Sequence, residues 1–231
     1  MKHKIMKEYL QPSYFIDSDS EIVKSYYRPI LSGNETEMEM AIKLFYHVRD
    51  GISYDPYRVD LHREALRASS VIQKGYGFCI TKAILLTAVY RSAGLPARPG
   101  FADVKNHLNS KRLREVMKTD VFIFHGYTEV LINGKWFKLT PAFDKKLCEK
   151  AGVIPLDFDG TEDAIFHPFD VSGKKHMEYI RERGSFIDLP YEEILDEYEK
   201  YYPHIPVKMN LRFAPEKYRG KSFEEEVEKH S

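Results

Sequence analysis

One cysteine and one histidine stand where this 231-residue chain could do nucleophilic chemistry. Cys79 follows Gly75-Tyr76-Gly77-Phe78 and opens the run Ile80 to Gly94, which is apolar on nearly every side. A helix that is apolar all round is a buried one, and Gly94 and Pro96 end it. The thiol is therefore expected at the first turn of a central helix. Partial positive charge at a helix N-terminus favours the thiolate, and the free N–H groups there can hold a developing oxyanion. His125 falls within Asp120 to Ile132, which reads as a strand. An imidazole there could take the thiol proton and return it to a leaving group.

A third group would fix the imidazole tautomer, and the hairpin register offers two. Asn133-Gly134 is the strongest short hairpin signal. It pairs Ile132 with Lys135 and, by continuation, Glu129 with Lys138, Tyr127 with Thr140 and His125 with Ala142. Alternate side chains share a face. His125, Tyr127, Glu129 and Leu131 then lie with Trp136, Lys138 and Thr140, and with Asp144 if the strand persists. Thr140 and Asp144 are both diagonal neighbours of His125. Pro141 lacks a backbone donor and is a place for the ladder to stop. Thr140 offers one acceptor without charge, and Asp144 offers a carboxylate. Glu129 is expected to pair across the strands with Lys138.

The elements needed to position these groups are legible along the chain. Residues 35–50 read as a helix, with Met38, Ala41, Ile42, Phe45 and Val48 at helical steps and acids in the first turn. Residues 63–70 read as a short helix and 97–104 as a strand. Residues 106–118 read as a basic loop with a short helix, and 135–140 as the returning strand. Residues 1–34 look irregular. From about 145 onward the chain reads as loops with one helix, 191–202. Asp157-Phe158-Asp159-Gly160 resembles the start of a calcium loop, but Pro168 occupies the place of the terminal acid, so it reads as a turn. No linker is evident. The organisation expected is one domain over 1–231, with a core at about 36–145 and a C-terminal elaboration at about 146–231.

Composition narrows the function classes. Basic and acidic residues balance at 35 each, and hydrophobic residues make up 43%, which fits a folded globular chain. Zero net charge argues against a broad nucleic-acid or anionic-membrane surface. No apolar run reaches the length of a membrane span. Met1-Lys2-His3-Lys4 has no apolar segment behind it, so no secretory signal is read there. The expected setting is cytoplasmic, with Cys79 and Cys148 reduced. Two cysteines without paired-ligand spacing give no metal site, and no cofactor motif is present. The 16 Tyr and 14 Phe point to aromatic packing in the interior and in grooves.

The blocks Gly77-Phe78-Cys79 through Ala83-Ile84-Leu85-Leu86-Thr87-Ala88, Ala93-Gly94-Leu95-Pro96-Ala97-Arg98, and His125-Gly126-Tyr127-Thr128-Glu129-Val130 through Asn133-Gly134-Lys135-Trp136 resemble the transglutaminase-like superfamily. The resemblance covers roughly residues 40 to 145. It implies an α+β, papain-like core in which a central helix carrying Cys79 packs on an antiparallel sheet carrying His125. The activity it implies is acyl transfer or hydrolysis at an amide through a thioester. The substrate would be a peptide, protein or small amide. Some members of the family are inactive. The family's Asp usually follows the Trp at the place where this chain has Thr140, which leaves Thr140 or Asp144 as the third member. Gln73, six residues before Cys79, stands where papain-like enzymes often keep an oxyanion-hole amide.

Overall fold

In the computed structural model, the described residues are 7–106, 110–165, 173, 177–212 and 223. In chain order the elements are α1 (Glu21–Tyr27), α2 (Glu37–Gly51), β1 (Ser53–Tyr54), α3 (Ala68–Lys74), β2 (Tyr76–Gly77), α4 (Cys79–Ser92), β3 (Ala97–Asn106), α5 (Lys111–Met117), β4 (Val121–Ile132), β5 (Lys135–Leu139), α6 (Lys145–Ala151), β6 (Met177–Ser185), α7 (Tyr191–Tyr201) and α8 (Val207–Asn210). The class is α+β. A four-stranded antiparallel sheet in the order β5-β4-β3-β6 carries α4 on one face, and β1 and β2 form a separate parallel pair.

Helix α4 is the centre of the molecule because every residue from Ile80 to Arg91 is buried. Several of its polar side chains are consequently spent on backbone groups. Thr87 donates to Ala83 O (2.9 Å), and Thr128 on β4 donates to the same carbonyl (2.9 Å), fastening helix to sheet. Arg91 donates to Ala97 O, Gln11 O and Ile187 O at 2.7–2.8 Å. Lys82, fully buried, donates its ammonium to Arg49 O (2.9 Å) and Ile52 O (2.5 Å) at the C-terminal end of α2. Those carbonyls have no intrahelical partner, so one lysine docks two helices. The start of α2 is fixed by a capping box between Thr36 and Glu39.

The hairpin follows its sequence signal. Asn133 (φ +50°) and Gly134 (φ +82°) both take left-handed conformations, as a two-residue primed turn requires. Ile132 pairs with Lys135 and Glu129 with Lys138. Other segments differ from the reading of the sequence. Residues 21–27 form α1, capped by Ser20, within a stretch that looked irregular because Pro12, Pro29 and Gly33-Asn34 interrupt it. Helix α6 begins at Asp144 and ends at the left-handed Gly152, short enough to escape a periodicity test. Strand β6 reads Met-Glu-Tyr-Ile-Arg-Glu-Arg-Gly-Ser, without apolar alternation, because it is an edge strand that discourages pairing with charge. Asp157 to Gly160 is a turn as expected, closed by Asp159, which accepts from the Thr161 N–H (2.9 Å).

Burial pushes the Lys82 ammonium down to about 7, opposed by the carboxylates of Asp144 and Asp50. Its ordinary value is 10.5, so between these pH values the unfolded chain holds this proton more tightly than the folded one. Stability relative to Lys82→Met is therefore flat below about pH 7 and rises toward about pH 10, with a slope of at most ~1.4 kcal/mol per pH unit. Urea unfolding of the two proteins across that range checks the sign.

Candidate active site

The approach to Cys79 is shaped by two glycines. Gly75 ends α3 at φ +71°, a conformation that costs glycine little. A Cβ on Gly77 would fall 2.6 Å from Thr81 Oγ1. That hydroxyl oxygen accepts the Phe78 N–H (2.9 Å) and so satisfies a donor at the entrance to α4. Cys79 is thereby the first residue of the helix and only partly exposed. Burial pushes its thiol up to about 11, while the nearby backbone N–H groups of Gly126, Ile80 and Cys79 itself favour the thiolate and pull the other way.

The Gly126 N–H belongs to the peptide that joins it to His125, so the sulfur rests against the backbone beside the candidate base. This contact depends on a very close approach of β4 to α4. A Cβ on Gly126 would stand 2.9 Å from Ile80 Cα and 3.0 Å from Cys79 O, so only glycine fits. Gly126 and Thr128 face α4; His125, buried, belongs to the alternate set with Tyr127 and Glu129.

A β-bulge immediately before His125 determines that alternation. Ala102 pairs with His125 and Val104 with Phe122, so Ile123 and Phe124 together oppose Asp103. Phe124 adopts φ +55°, a conformation that is an outlier for a bulky side chain. Side chains capture both N–H groups of the bulge. The Tyr202 hydroxyl accepts from Ile123 (3.0 Å) and donates to Val121 O (3.2 Å). Asp103 Oδ1 accepts from Phe124 (3.1 Å). Arg183 on β6 grips the buried Asp103 carboxylate at 2.8–2.9 Å, lies 4.6 Å over the Phe124 ring, and reaches Glu197 on α7 (2.8 Å). Sequence reasoning passed over Asp103 and Arg183, because neither lies near Cys79 or His125 in a recognisable spacing.

The third-member candidates separate in space. The β4–β5 ladder ends at Leu139. The Thr140 N–H turns to Ala164 O (2.8 Å), and its hydroxyl is buried with no hydrogen-bond partner among the described residues. Asp144 leaves the strand and caps α6, accepting from Leu147 N–H (2.9 Å) with one oxygen and from Tyr54 N–H (3.1 Å) with the other. Gln73 is exposed on α3. Glu129 lies opposite Lys138 as expected, but its tight partner is Arg98 on β3 (2.5 Å); Lys138 stands 4.0 Å away and binds Glu182 instead (2.7 Å). His107, His167 and His176 lie outside the described residues. Among the described residues no group of three or more His, Cys, Asp or Glu is arranged to hold a metal ion, and no helix is long and apolar enough to cross a membrane.

A cleft of about 470 Å³, counting space open to solvent, lies over the sulfur. Its lining includes Tyr54, Leu113 and Met117 of α5, and Tyr198 and Tyr202. The Asp144 bond to Tyr54 N–H therefore supports the wall of this cleft.

A model of the transglutaminase-like superfamily matches residues 24–141, just over half of the chain. Among solved structures, a candidate cysteine protease from Cytophaga hutchinsonii aligns at 17% identity and TM-score 0.47, over 78% of this chain and 46% of its own. A candidate protease from Parabacteroides distasonis aligns at 18% identity and TM-score 0.37, over 54% of this chain and 25% of its own. The chain thus spans less than half the length of either. No curated protein matches it.

Asp103→Ala orphans the Phe124 N–H and removes a buried partner of Arg183, and is expected to cost about 2–4 kcal/mol in denaturant unfolding. Asp103→Asn keeps an acceptor for Phe124 and is expected to cost less; equal losses would assign the effect to the ion pair alone.

Proposed function

We propose, since the chain belongs to the transglutaminase-like superfamily, that it is a thiol-dependent amide hydrolase or acyltransferase in which Cys79 is the nucleophile and His125 the base. The observation that carries this reading is the close approach of the His125–Gly126 segment to the start of α4, where a Cβ on Gly126 would stand 3.0 Å from Cys79 O. Cys79 Sγ attacks the amide carbonyl as His125 takes its proton. The carbonyl π electrons move onto oxygen, and the Cys79 N–H at the helix tip is placed to receive that oxyanion. His125 returns the proton to the leaving nitrogen, the C–N bond breaks and a thioester remains. Water, deprotonated by His125, hydrolyses the thioester to acid and free thiol; an amine in its place gives transfer. Peptide and protein amides are the substrates this chemistry suits.

The third member is left open between Thr140 and Asp144: the Thr140 hydroxyl is buried and makes no hydrogen bond to His125 or to any other described residue. Both oxygens of Asp144 are engaged by backbone donors. A thiol pushed up to about 11 by burial needs His125 to share its proton near neutral pH, because a thiolate is otherwise scarce there. A second reading, an inactive binding domain on the same fold, is favoured by Thr140 standing where the family keeps its Asp.

Iodoacetamide labelling of Cys79, followed by mass spectrometry against pH, separates the two. An active pair gives an apparent thiol pKa well below about 11 that climbs in His125→Ala; an inert site gives one high value unchanged by that substitution. Hydroxylamine trapping of the thioester during turnover of peptide amides is expected to fail completely in Cys79→Ala.

A further inference from the structure

The cleft over Cys79 differs from the remainder of the site in chemistry: none of its lining side chains carries charge. Resting on the reading of Cys79 as nucleophile, we propose that this cleft binds an apolar side chain of the acyl donor, so that the substrate is a peptide amide with a leucine- or phenylalanine-class residue beside the scissile bond. Three observations support the assignment. Leu113 and Met117, both buried, present aliphatic surface from α5. The Tyr202 hydroxyl is already committed to Ile123 and Val121, so Tyr202 offers the cleft its ring and not its polar tip. Phe122, on the strand that leads to His125, adds a further aromatic wall.

An ionised side chain entering such a space loses its hydration and gains no counter-charge. An apolar one gains from leaving water, and the difference for a full leucine or phenylalanine side chain is worth about ten- to hundredfold in kcat/KM. Tyr198 and Tyr202 stand beyond residue 141, where the superfamily match ends. The pocket is therefore completed by a part of the chain outside the shared core, which is where a selectivity particular to this protein would be built.

The test uses the full chain and fluorogenic peptide amides of one frame, varied as Leu, Phe, Gln, Glu and Lys at each of the two positions preceding the scissile bond. At one position, Leu or Phe is expected to exceed Glu and Lys at least about tenfold in kcat/KM. Met117→Glu is expected to shift that position toward Lys. Turnover with equal rates for Leu, Glu and Lys at both positions overturns the pocket while leaving Cys79 as nucleophile. If no peptide is turned over, the catalytic reading fails separately, and the pocket is decided by protection of Cys79 from iodoacetamide. N-acetyl-leucinamide is expected to protect at concentrations where N-acetyl-lysinamide does not; equal protection, or none, overturns it.

Discussion

The strand carrying His125 makes its closest backbone approach to the helix carrying Cys79 at a residue with no side chain. Gly126 lets the two backbones meet at Cys79 and Ile80, where a Cβ would stand 2.9 Å from Ile80 Cα. Any larger residue would push β4 away from α4 and carry the imidazole with it. The all-round burial of α4 and the two threonines that fasten it to β4 hold this contact from behind. The buried Lys82 fixes the same helix to α2. The site is thus assembled by backbone proximity first, and its reactive groups are placed as a result.

The second constraint is the extra residue before His125. In a strand, a shift of one residue sends every side chain to the opposite face, so the Ile123–Phe124 bulge decides where His125 points. A bulky residue at positive φ does not persist unaided. Asp103, Tyr202 and Arg183 supply the missing hydrogen bonds and cover the ring. Residues from β3, β6 and the end of α7 therefore converge on the conformation of one strand, so described residues late in the chain shape the strand that carries His125.

What could be read in the sequence follows the range of the signals. The Cys79 helix is visible because twelve consecutive buried positions leave an unmistakable apolar run. The hairpin is visible because Asn133-Gly134 sets its own register. Both are local. The bulge at Phe124 has no local mark, since its cause is a carboxylate on a neighbouring strand. Asp144 looked like a strand residue diagonal to His125 as long as the ladder was extended past Pro141; with the ladder ending at Leu139, its oxygens serve the α6 N-terminus and Tyr54. Gln73 had only spacing in its favour, and the exposed face of α3 carries it outward. The lining of the cleft comes from five separate segments, a combination that no window along the chain contains.

Tyr202 serves two masters. Its hydroxyl stitches the bulge that aims His125, and its ring faces the cleft over Cys79. Altering that residue to change what the cleft accepts would disturb the strand of His125 at the same time. Leu113 and Met117 sit on a short helix and hold no such bond to the histidine strand among the hydrogen bonds described. A change to the lining made at Leu113 or Met117 therefore leaves the Tyr202 bonds to β4 in place, whereas one made at Tyr202 breaks them.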